Sequence, residues 1–415
     1  MSAQPLDHRV LFRLAWPILV TMLSYTMLSV VNSIYVGWLG TADLAAIGLA
    51  TGLVYLWQSF GLGLLSGVRI LVANRTGAGQ PAASVAITWA GVAVGALGGL
   101  VVAAAIPLGP SALRAMGASH DVLPLAAGYF EWRTAATPAV FVFTALIGAF
   151  QGTGDTRTPM IANLIANAVN LVVDPVLIFG LGPIPALGID GAGIGCALGI
   201  ASGLAFLGWR ARGWLGAPVR PDRTALRELW RIGAPAGVQY TLDVGSFVIL
   251  SVLLSDAGDA HLAAHVIVVR IVMVSFLPCH AIAEATGVLV GQSLGGGLPD
   301  RARTALRLGA SQAIGVMVAL GIVFAAIPDR LTAVVHAAPD VTAIATPIIV
   351  LYATMQVLDG IAVVVFGALT GAGDTRYAMR SILFGALSLI HITEPPRMPV
   401  RSRLASGGGN GGGGG

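Results

Sequence analysis

Gly-Ala-Phe-Gln-Gly-Thr-Gly-Asp-Thr-Arg-Thr-Pro-Met occupies residues 148–160, and the chain repeats it as Gly-Ala-Leu-Thr-Gly-Ala-Gly-Asp-Thr-Arg-Tyr-Ala-Met at residues 367–379. Three further landmarks recur at nearly the same spacing: Pro17 with Pro235, Gly40-Thr-Ala-Asp-Leu-Ala-Ala with Gly258-Asp-Ala-His-Leu-Ala-Ala, and Gly77-x-Gly79 with Gly295-x-Gly297. A short repeat period would indicate a solenoid, whereas a single copy about half a chain away predicts two similar halves.

The composition places these two halves in a membrane. Hydrophobic residues make up 56% of the 415 residues and charged residues only 10%, whereas an average soluble domain has about 25% charged residues. Long apolar runs alternate with short polar breaks, and roughly 20 helical residues cross a hydrocarbon core of about 30 Å. The sequence therefore predicts an all-α polytopic membrane protein embedded in the lipid bilayer.

Hydrophobic periodicity predicts six helices in the first half and five in the second. They lie near 11–38, 44–74, 84–107, 122–150, 158–181 and 190–209, then near 229–255, 261–292, 303–327 and 341–370, with another that begins near 377. An even number of helices per half makes the two repeats parallel. We predict an N-terminal six-helix bundle over 1–209, a cytoplasmic linker over 210–228 and a C-terminal bundle over 229–388.

The end of the chain departs from the repeat. A duplicated half requires helix eleven to continue to about residue 399 and a twelfth helix to follow. Pro395, Pro396 and Pro399 do not fit that helix, because each removes a backbone donor, and a flexible glycine tract follows them. We expect residues 389–415 to be a non-native, disordered tail, which leaves the second bundle incomplete, at about 10–11 of 12 helices in all.

The positions of the arginines predict the orientation. The chain has a net charge of +4 and no lysine, and its arginines cluster in alternate loops, which argues against a nucleic-acid partner. The N-terminus and every second loop hold most of them: Arg9, Arg13, Arg75, Arg157, Arg210, Arg212, Arg220, Arg223, Arg227, Arg231, Arg301, Arg303, Arg307, Arg376 and Arg380. The opposite loops hold Arg114 and Arg330. The positive-inside rule therefore predicts a cytoplasmic N-terminus.

Three acidic residues are candidate sites for a coupling ion: Asp243, Glu284 and Asp359. Ionisable groups inside a membrane are costly, and they normally face a cavity or a partner. A carboxyl group removed from water can bind and release a proton near physiological pH, and a carboxylate can instead coordinate sodium. The alternative is a fixed ion pair, for example of Asp243 with Arg270, or of Glu284 with Arg270 or His280.

A second group of polar residues is a candidate cavity lining. Residues three and four apart share one face of a helix, which places Asn163, Asn167, Asn170 and Asp174 together. Such a stripe can line a substrate cavity, or it can hold helices together through hydrogen bonds. Asn32, Tyr35 and Gln58 are weaker candidates of the same kind.

Two other patterns invite interpretations that we reject. The Gly-x-Gly-Asp-Thr-Arg segments lack the lysine of a phosphate loop and a preceding strand; we expect Asp155 and Asp374 to cap the helices that follow. His261 and His265 lie one turn apart, but no third ligand is in view, so we predict no metal site.

Together these landmarks resemble the multidrug and toxic compound extrusion (MATE) family over about residues 11–388. The most specific elements are the paired Gly-x-Gly-Asp-Thr-Arg segments, Asn167-x-x-Asn170-x-x-x-Asp174-Pro, and Val290-Gly-Gln-Ser-Leu-Gly-Gly-Gly. The resemblance implies two six-helix bundles that form a V around a central cavity, in the cytoplasmic (inner) membrane of a bacterium.

The resemblance also implies roles for three residues. Asp243 and Asp359 look like the acids that bacterial members carry in helices seven and ten, where they belong to a cation site of the C-terminal bundle. Asn32 stands where many members have an aspartate. Asparagine can coordinate a cation but cannot cycle a proton, so we expect coupling at Asp243 and Asp359.

We therefore expect a monomeric secondary active exporter of organic cations or amphipathic drugs, not an enzyme, that works by alternating access. Its coupling ion is H⁺ or Na⁺, and no other cofactor is expected. One rival is a flippase for a lipid-linked or polysaccharide precursor, which needs a basic cavity; only Arg69, Arg133 and Arg270 are available. An intramembrane enzyme would need a metal triad or a nucleophile–base pair, and a receptor or scaffold would not need buried acids.

Overall fold

The computed structural model describes residues 6–216, 221–255, 259–333 and 339–393, and in that part of the chain every regular element is a helix. The first half contains α1 His8–Gly37, α2 Thr41–Gly77, α3 Pro81–Ala104, α4 Gly109–Ala115, α5 Val122–Ala135, α6 Thr137–Thr153, α7 Arg157–Phe179 and α8 Ile189–Leu215, with a short 3₁₀ turn at Ile106–Leu108. The second half contains α9 Arg223–Ser255, α10 Asp259–Gly295, α11 Pro299–Ala326, α12 Pro328–Ala333, α13 Pro339–Gly371 and α14 Thr375–Thr393. We call these the N-half and the C-half.

Within the described residues, eight helices are long and apolar enough to cross a membrane, or nine if α5 and α6 form one bent span. The sequence predicted a single helix over 122–150, but α5 and α6 meet at an angle of 45°. Pro138 lies in the first turn of α6, where a missing N–H is tolerated but a continuous helix would lose a hydrogen bond. The bend therefore follows from one residue that the apolar pattern did not reveal.

The duplication predicted from the sequence is visible in the backbone. Gly154 and Gly373 lie just after the ends of α6 and α13 and have positive φ values of 94° and 86°, a conformation that favours glycine. Asp155 then accepts hydrogen bonds from the backbone N–H groups of Arg157 and Thr158, at 3.1 and 3.0 Å. Asp374 accepts one from Tyr377 N–H at 3.1 Å. The prediction that both aspartates cap a helix is confirmed.

The cap of α7 gives a stability prediction. Asp155→Ala removes two hydrogen bonds to helix N–H groups, and we expect it to lower the free energy of unfolding by about 1 kcal/mol. Asp121→Ala is the matched control, because Asp121 precedes α5 without a side-chain cap bond. Thermal unfolding of the purified protein in detergent measures both. Equal melting temperatures for the two variants would contradict the capping role.

The two halves touch along α2, which packs its glycines against α9 and α10. A Cβ atom built on Gly63 would lie 2.5 Å from the Ala236 carbonyl oxygen, and one on Gly77 would lie 1.9 Å from the Gln292 oxygen. The Gln292 side chain also donates a hydrogen bond to the Gly152 carbonyl at 2.9 Å. We call the end of the molecule at which α2, α6, α10 and α13 end and α9 and α14 begin the arginine-rich end. The contact of Gly77 with Gln292 lies at this end, so the halves are closed against each other there.

Two boundaries differ from those predicted. α8 continues to Leu215 and α9 begins at Arg223, so the segment between them is shorter than the predicted linker 210–228. Gly216, with φ of 63°, follows the last turn of α8, in which Arg212 lies. α14 reaches Thr393, five residues past the predicted boundary at 388. Residues 394–415, which include Pro395, Pro396 and Pro399, lie outside the described residues.

Candidate functional site

A cavity of about 460 Å³ lies between the halves. α2 supplies its N-half wall, including Ser66 and Arg69, and four helices of the C-half supply the rest. Asp243 comes from α9, and His280 and Glu284 come from α10. Most of the remaining lining is apolar, with Ala, Gly, Val and Phe366. The site is therefore a mainly apolar pocket with a few ionisable groups, as is usual for small-molecule binding sites.

Asp243 is the acid of α9 that faces this cavity. Gln239, one turn earlier on the same helix, lies close to its carboxyl group, and His280 is close enough to interact with it electrostatically. Tyr240 lines the cavity beside it. Asp243 lies two turns after Pro235, in the interior of α9. A carboxylate with an amide and an imidazole beside it can accept a proton or a small cation.

Glu284 forms an ion pair with Arg69, with 2.5 Å between Nη1 and Oε2. The fixed ion pair that the sequence left open as an alternative is therefore present, but its partner is Arg69, and not Arg270 or His280. Arg270 precedes Glu284 by 14 residues on α10, which is about 21 Å along the helix axis. Arg69 instead reaches from α2, and its Nη1 also lies 3.5 Å from Gln151 Oε1. The pair therefore joins the N-half to the C-half at the cavity wall.

Asp359 lies on α13 and is not part of the cavity lining. It is partly exposed, and it lies next to Gly360, whose carbonyl accepts a bond from Cys279 Sγ at 3.4 Å. Ala362, three residues later, does line the cavity. The structure therefore brings Asp243 and Glu284 together in one pocket, and it places Asp359 just outside it.

The N-half contains a second set of polar groups, which we call the N-half polar cluster: Asn32, Arg133, Asn170, Asp174 and Cys196. Asn32 Nδ2 donates to Asn170 Oδ1 at 3.2 Å, and Asn170 Nδ2 donates to Asp174 Oδ1 at 2.9 Å. Asp174 is fully buried and Asn170 is 2% exposed. Asp174 Oδ2, Asn32 Oδ1 and Arg133 Nε have no hydrogen-bond partner in the structure, and buried polar atoms without partners are costly.

The packing around Asp174 gives a second stability prediction. A Cβ atom on Gly195 would lie 1.8 Å from Asp174 Oδ1, so Gly195→Ala must push the carboxylate away from Asn170. We expect a loss of about 1–3 kcal/mol of unfolding free energy, measured by thermal unfolding in detergent. Gly213→Ala on the same helix is the control, because nothing lies within 4 Å of its Cβ position. An equally stable Gly195→Ala protein would show that the cluster is loosely packed.

The remaining candidates for cavity lining make contacts inside the N-half. Asn167 Nδ2 donates to Ser24 Oγ of α1 at 2.9 Å, and Gln58 Nε2 donates to Thr137 Oγ1 at 2.9 Å. Asn163 donates to the Pro159 carbonyl of its own helix, and the Tyr35 ring packs against Trp38 and Phe179. None of these residues lines the cavity between the halves, and two of them hydrogen-bond to other helices.

The histidine pair is placed only in part. The His261 side chain lies outside the described residues, whereas that of His265 is half-buried. Among the residues that the structure describes, no group of three His, Cys, Asp or Glu side chains could hold a metal ion.

Sequence reasoning did not name Gln239 as a member of the site, and it named His280 only as a possible partner of Glu284. Gln239 and His280 each lie four residues from an acid, at the spacing that places two side chains on one helix face. That spacing could have identified them. Arg69 was named only among the cations that a flippase cavity could use, and no pattern along the chain connects it with Glu284.

Comparisons with known proteins agree with the duplication. The MatE family model matches residues 17–176 and again residues 235–393. The chain is 31% identical over 388 residues to the "Probable multidrug resistance protein NorM" of Deinococcus radiodurans, with 89% of this chain and 84% of that protein covered. It is 28% identical over 392 residues to the "Multidrug resistance protein PmpM" of Pseudomonas aeruginosa, with 91% and 81% covered. Its fold is similar to that of the Vibrio cholerae MATE transporter VcmN in the bent form, with a TM-score of 0.83, 21% identity, and 90% and 85% of the two chains covered.

Proposed function

The chain belongs to the MATE family of multidrug efflux transporters, and from that premise we propose that it exports organic cations and amphipathic drugs in exchange for H⁺ or Na⁺. One observation carries the proposal: the cavity between the halves combines apolar walls with Asp243, Glu284, His280 and Arg69. An apolar pocket with two carboxyl groups suits an amphipathic cation. The same carboxyl groups suit a small coupling ion.

Asp243 is the coupling acid in this proposal. It lines the cavity without an ion-pair partner among the described residues, so its charge is open to either a drug cation or the coupling ion. Competition between the two for one carboxylate makes their binding mutually exclusive, which is what exchange requires. Asp359 is the second coupling acid, and it acts from the edge of the cavity.

The Arg69–Glu284 pair is the proposed link between ion binding and movement of the halves. It joins α2 to α10 at the cavity wall, and Gly77 and Gly295 pack against the opposite helix within three turns of it. A ligand shifts a conformational equilibrium only through its different affinity for the two forms. Binding of a cation at Glu284 weakens its pairing with Arg69, and it therefore favours the form in which this end opens.

The orientation completes the cycle. We propose that the arginine-rich end faces the cytoplasm, in the inner membrane of a bacterium, with the N-terminus on that side. The closed end then separates the cavity from the cytoplasm. In alternating access the halves rock about the cavity so that this end opens to take up drug. We further propose that a single copy of the chain suffices, because the cavity is complete within it.

The charge of the cavity supports drug export over the flippase alternative. A lipid-linked pyrophosphate needs several cationic groups, whereas this cavity holds one arginine and one histidine beside two acids. Arg133 lies in the N-half polar cluster and Arg270 is exposed on α10. The two acids in the lining therefore favour a cationic substrate over an anionic one.

Efflux from cells tests the proposal. Cells that lack their own drug exporters and express this chain are loaded with ethidium, and the loss of fluorescence is followed after glucose is added. We expect faster efflux than in cells with an empty vector, and we expect a protonophore or a sodium ionophore to stop it. Efflux at the empty-vector rate, from a chain shown to reach the membrane, would contradict the proposal.

A further inference from the structure

A second concave surface lies on the outside of the helix bundle, near the arginine-rich end. It has a volume of about 530 Å³ and is lined by Val94, Leu226, Arg227, Trp230, Arg231 and Arg376. We call it the arginine groove. Val94 belongs to α3 of the N-half, and the other residues belong to α9 and α14 of the C-half. The groove therefore spans the seam between the halves, away from the transport cavity.

The fold brings three arginine side chains together at the arginine groove. Arg227 and Arg231 lie one turn apart on α9, so they share a face. Arg376 is the second residue of α14, and the Thr375 hydroxyl beside it donates to the Ile232 carbonyl at 2.8 Å. That bond fixes the start of α14 against the turn of α9 that carries Arg231. All three arginines are exposed.

No acid neutralises these arginines within the described residues. Glu228, which lies between Arg227 and Arg231, turns towards α2 and accepts two bonds from Arg75 Nη2, each of 2.8 Å. Asp374 accepts a bond from Tyr377 N–H at its own helix start. Arg227, Arg231 and Arg376 form no ion pair in the part of the chain that the structure describes. Three arginines without an ion-pair partner in the described residues make the arginine groove attractive to an anion.

The rest of the groove is apolar. Trp230 is 57% exposed, and its ring packs edge-on against Phe60 of α2 at a centroid distance of 6.1 Å. Val94 and Leu226 continue the apolar wall. Exposed tryptophan next to arginine is typical of the boundary between headgroups and acyl chains. An anionic group with a hydrocarbon tail matches both parts of the surface.

We propose that the arginine groove binds an anionic phospholipid, with its phosphate at Arg227, Arg231 and Arg376 and an acyl chain along Trp230 and Val94. Basic pockets between membrane helices bind such headgroups through the same chemistry. Because the groove joins α3 to α9 and α14, the bound lipid stabilises the arrangement in which this end is closed. The proposal concerns the membrane and stands whether or not the chain exports drugs.

Native mass spectrometry of the detergent-solubilised full-length protein tests the proposal by titration with phosphatidylglycerol and with phosphatidylcholine. We expect phosphatidylglycerol to bind about tenfold more tightly or better. Arg227→Gln, Arg231→Gln and Arg376→Gln combined should remove that preference and leave phosphatidylcholine binding unchanged. The matched control combines Arg210→Gln, Arg212→Gln and Arg307→Gln, which are exposed arginines outside the groove. It should keep the preference.

Three results would overturn the proposal. If both triple variants lost the preference for phosphatidylglycerol equally, the total charge of the protein would be what attracts the lipid. Equal affinity of the wild type for both lipids would mean that the groove does not select an anion. Competition by millimolar inorganic phosphate would identify a free phosphate site instead.

A measurement without arginine substitution covers the case in which the triple variant does not fold. Brominated phosphatidylglycerol should quench the wild-type tryptophan fluorescence more than brominated phosphatidylcholine does, and Trp230→Phe should remove the difference. An unchanged difference in Trp230→Phe would place the lipid elsewhere and contradict the proposal.

Discussion

Asp243→Asn is expected to lower gradient-driven ethidium efflux at least tenfold, to near the rate of cells without the chain. Asparagine keeps the size of the side chain and can still interact with the neighbouring Gln239, but it cannot carry a proton or a negative charge. The cavity then keeps Glu284 paired with Arg69 and loses its unpaired acid. A tenfold loss corresponds to about 1.4 kcal/mol.

Two further variants make this result specific. Asp243→Glu keeps the charge and should restore part of the efflux. Asp359→Asn should lower efflux by less than Asp243→Asn, because Asp359 lies outside the cavity lining. Membrane expression must match the wild type in each case. Unchanged efflux by Asp243→Asn, or a larger loss in Asp359→Asn, would move the coupling site away from the cavity.

Gly77→Ala is expected to abolish transport by preventing closure of the arginine-rich end. A Cβ atom at Gly77 would lie 1.9 Å from the backbone oxygen of Gln292, and a backbone atom cannot move aside as a flexible side chain can. The chain should still fold, because the clash occurs between the halves, and it should remain in the form that is open at this end. An exporter trapped in one form cannot complete a cycle.

Thiol labelling measures that trapping. Ala73 on α2 is 1% exposed and lies opposite Gly291 of α10, where an added Cβ would be 3.1 Å away. In a background without Cys196 and Cys279, Ala73→Cys should react at least tenfold faster with a maleimide when Gly77→Ala is present. Gly48→Ala is the control on the same helix, since nothing lies within 4 Å of its Cβ position. Equal labelling in both variants would contradict closure at this contact.

The features that the sequence predicted correctly are those with a local cause. Asp155 and Asp374 cap the helices that follow them, because a glycine turn and an aspartate specify a helix start within four residues. The duplication can likewise be recognised from the sequence, since both copies keep the same glycines. α5 and α6 were predicted as one helix because hydrophobic periodicity continues across a bend, and Pro138 alone marks it.

The partner of Glu284 could not be predicted for a different reason. Arg69 and Glu284 lie 215 positions apart in the chain, and only the packing of α2 against α10 brings them together. The N-half polar cluster has the same character. The asparagine spacing on α7 placed Asn170 beside Asp174, but the contacts with Asn32 and Arg133 depend on which helices α7 meets. Tertiary packing, rather than the local pattern, decides which ionisable groups remain unpaired.

Counter-transport in proteoliposomes tests the central claim most directly. Purified protein is reconstituted, a tenfold gradient of H⁺ or of Na⁺ is imposed in separate samples, and ethidium is followed together with the ion. For a one-to-one exchange of monovalent cations, we expect uphill ethidium accumulation of up to about tenfold, since a tenfold ion gradient supplies about 1.4 kcal/mol. Ion flux should run in the opposite direction, and Asp243→Asn should abolish both. Ethidium that only equilibrates, with no ion movement under either gradient, would contradict coupled export.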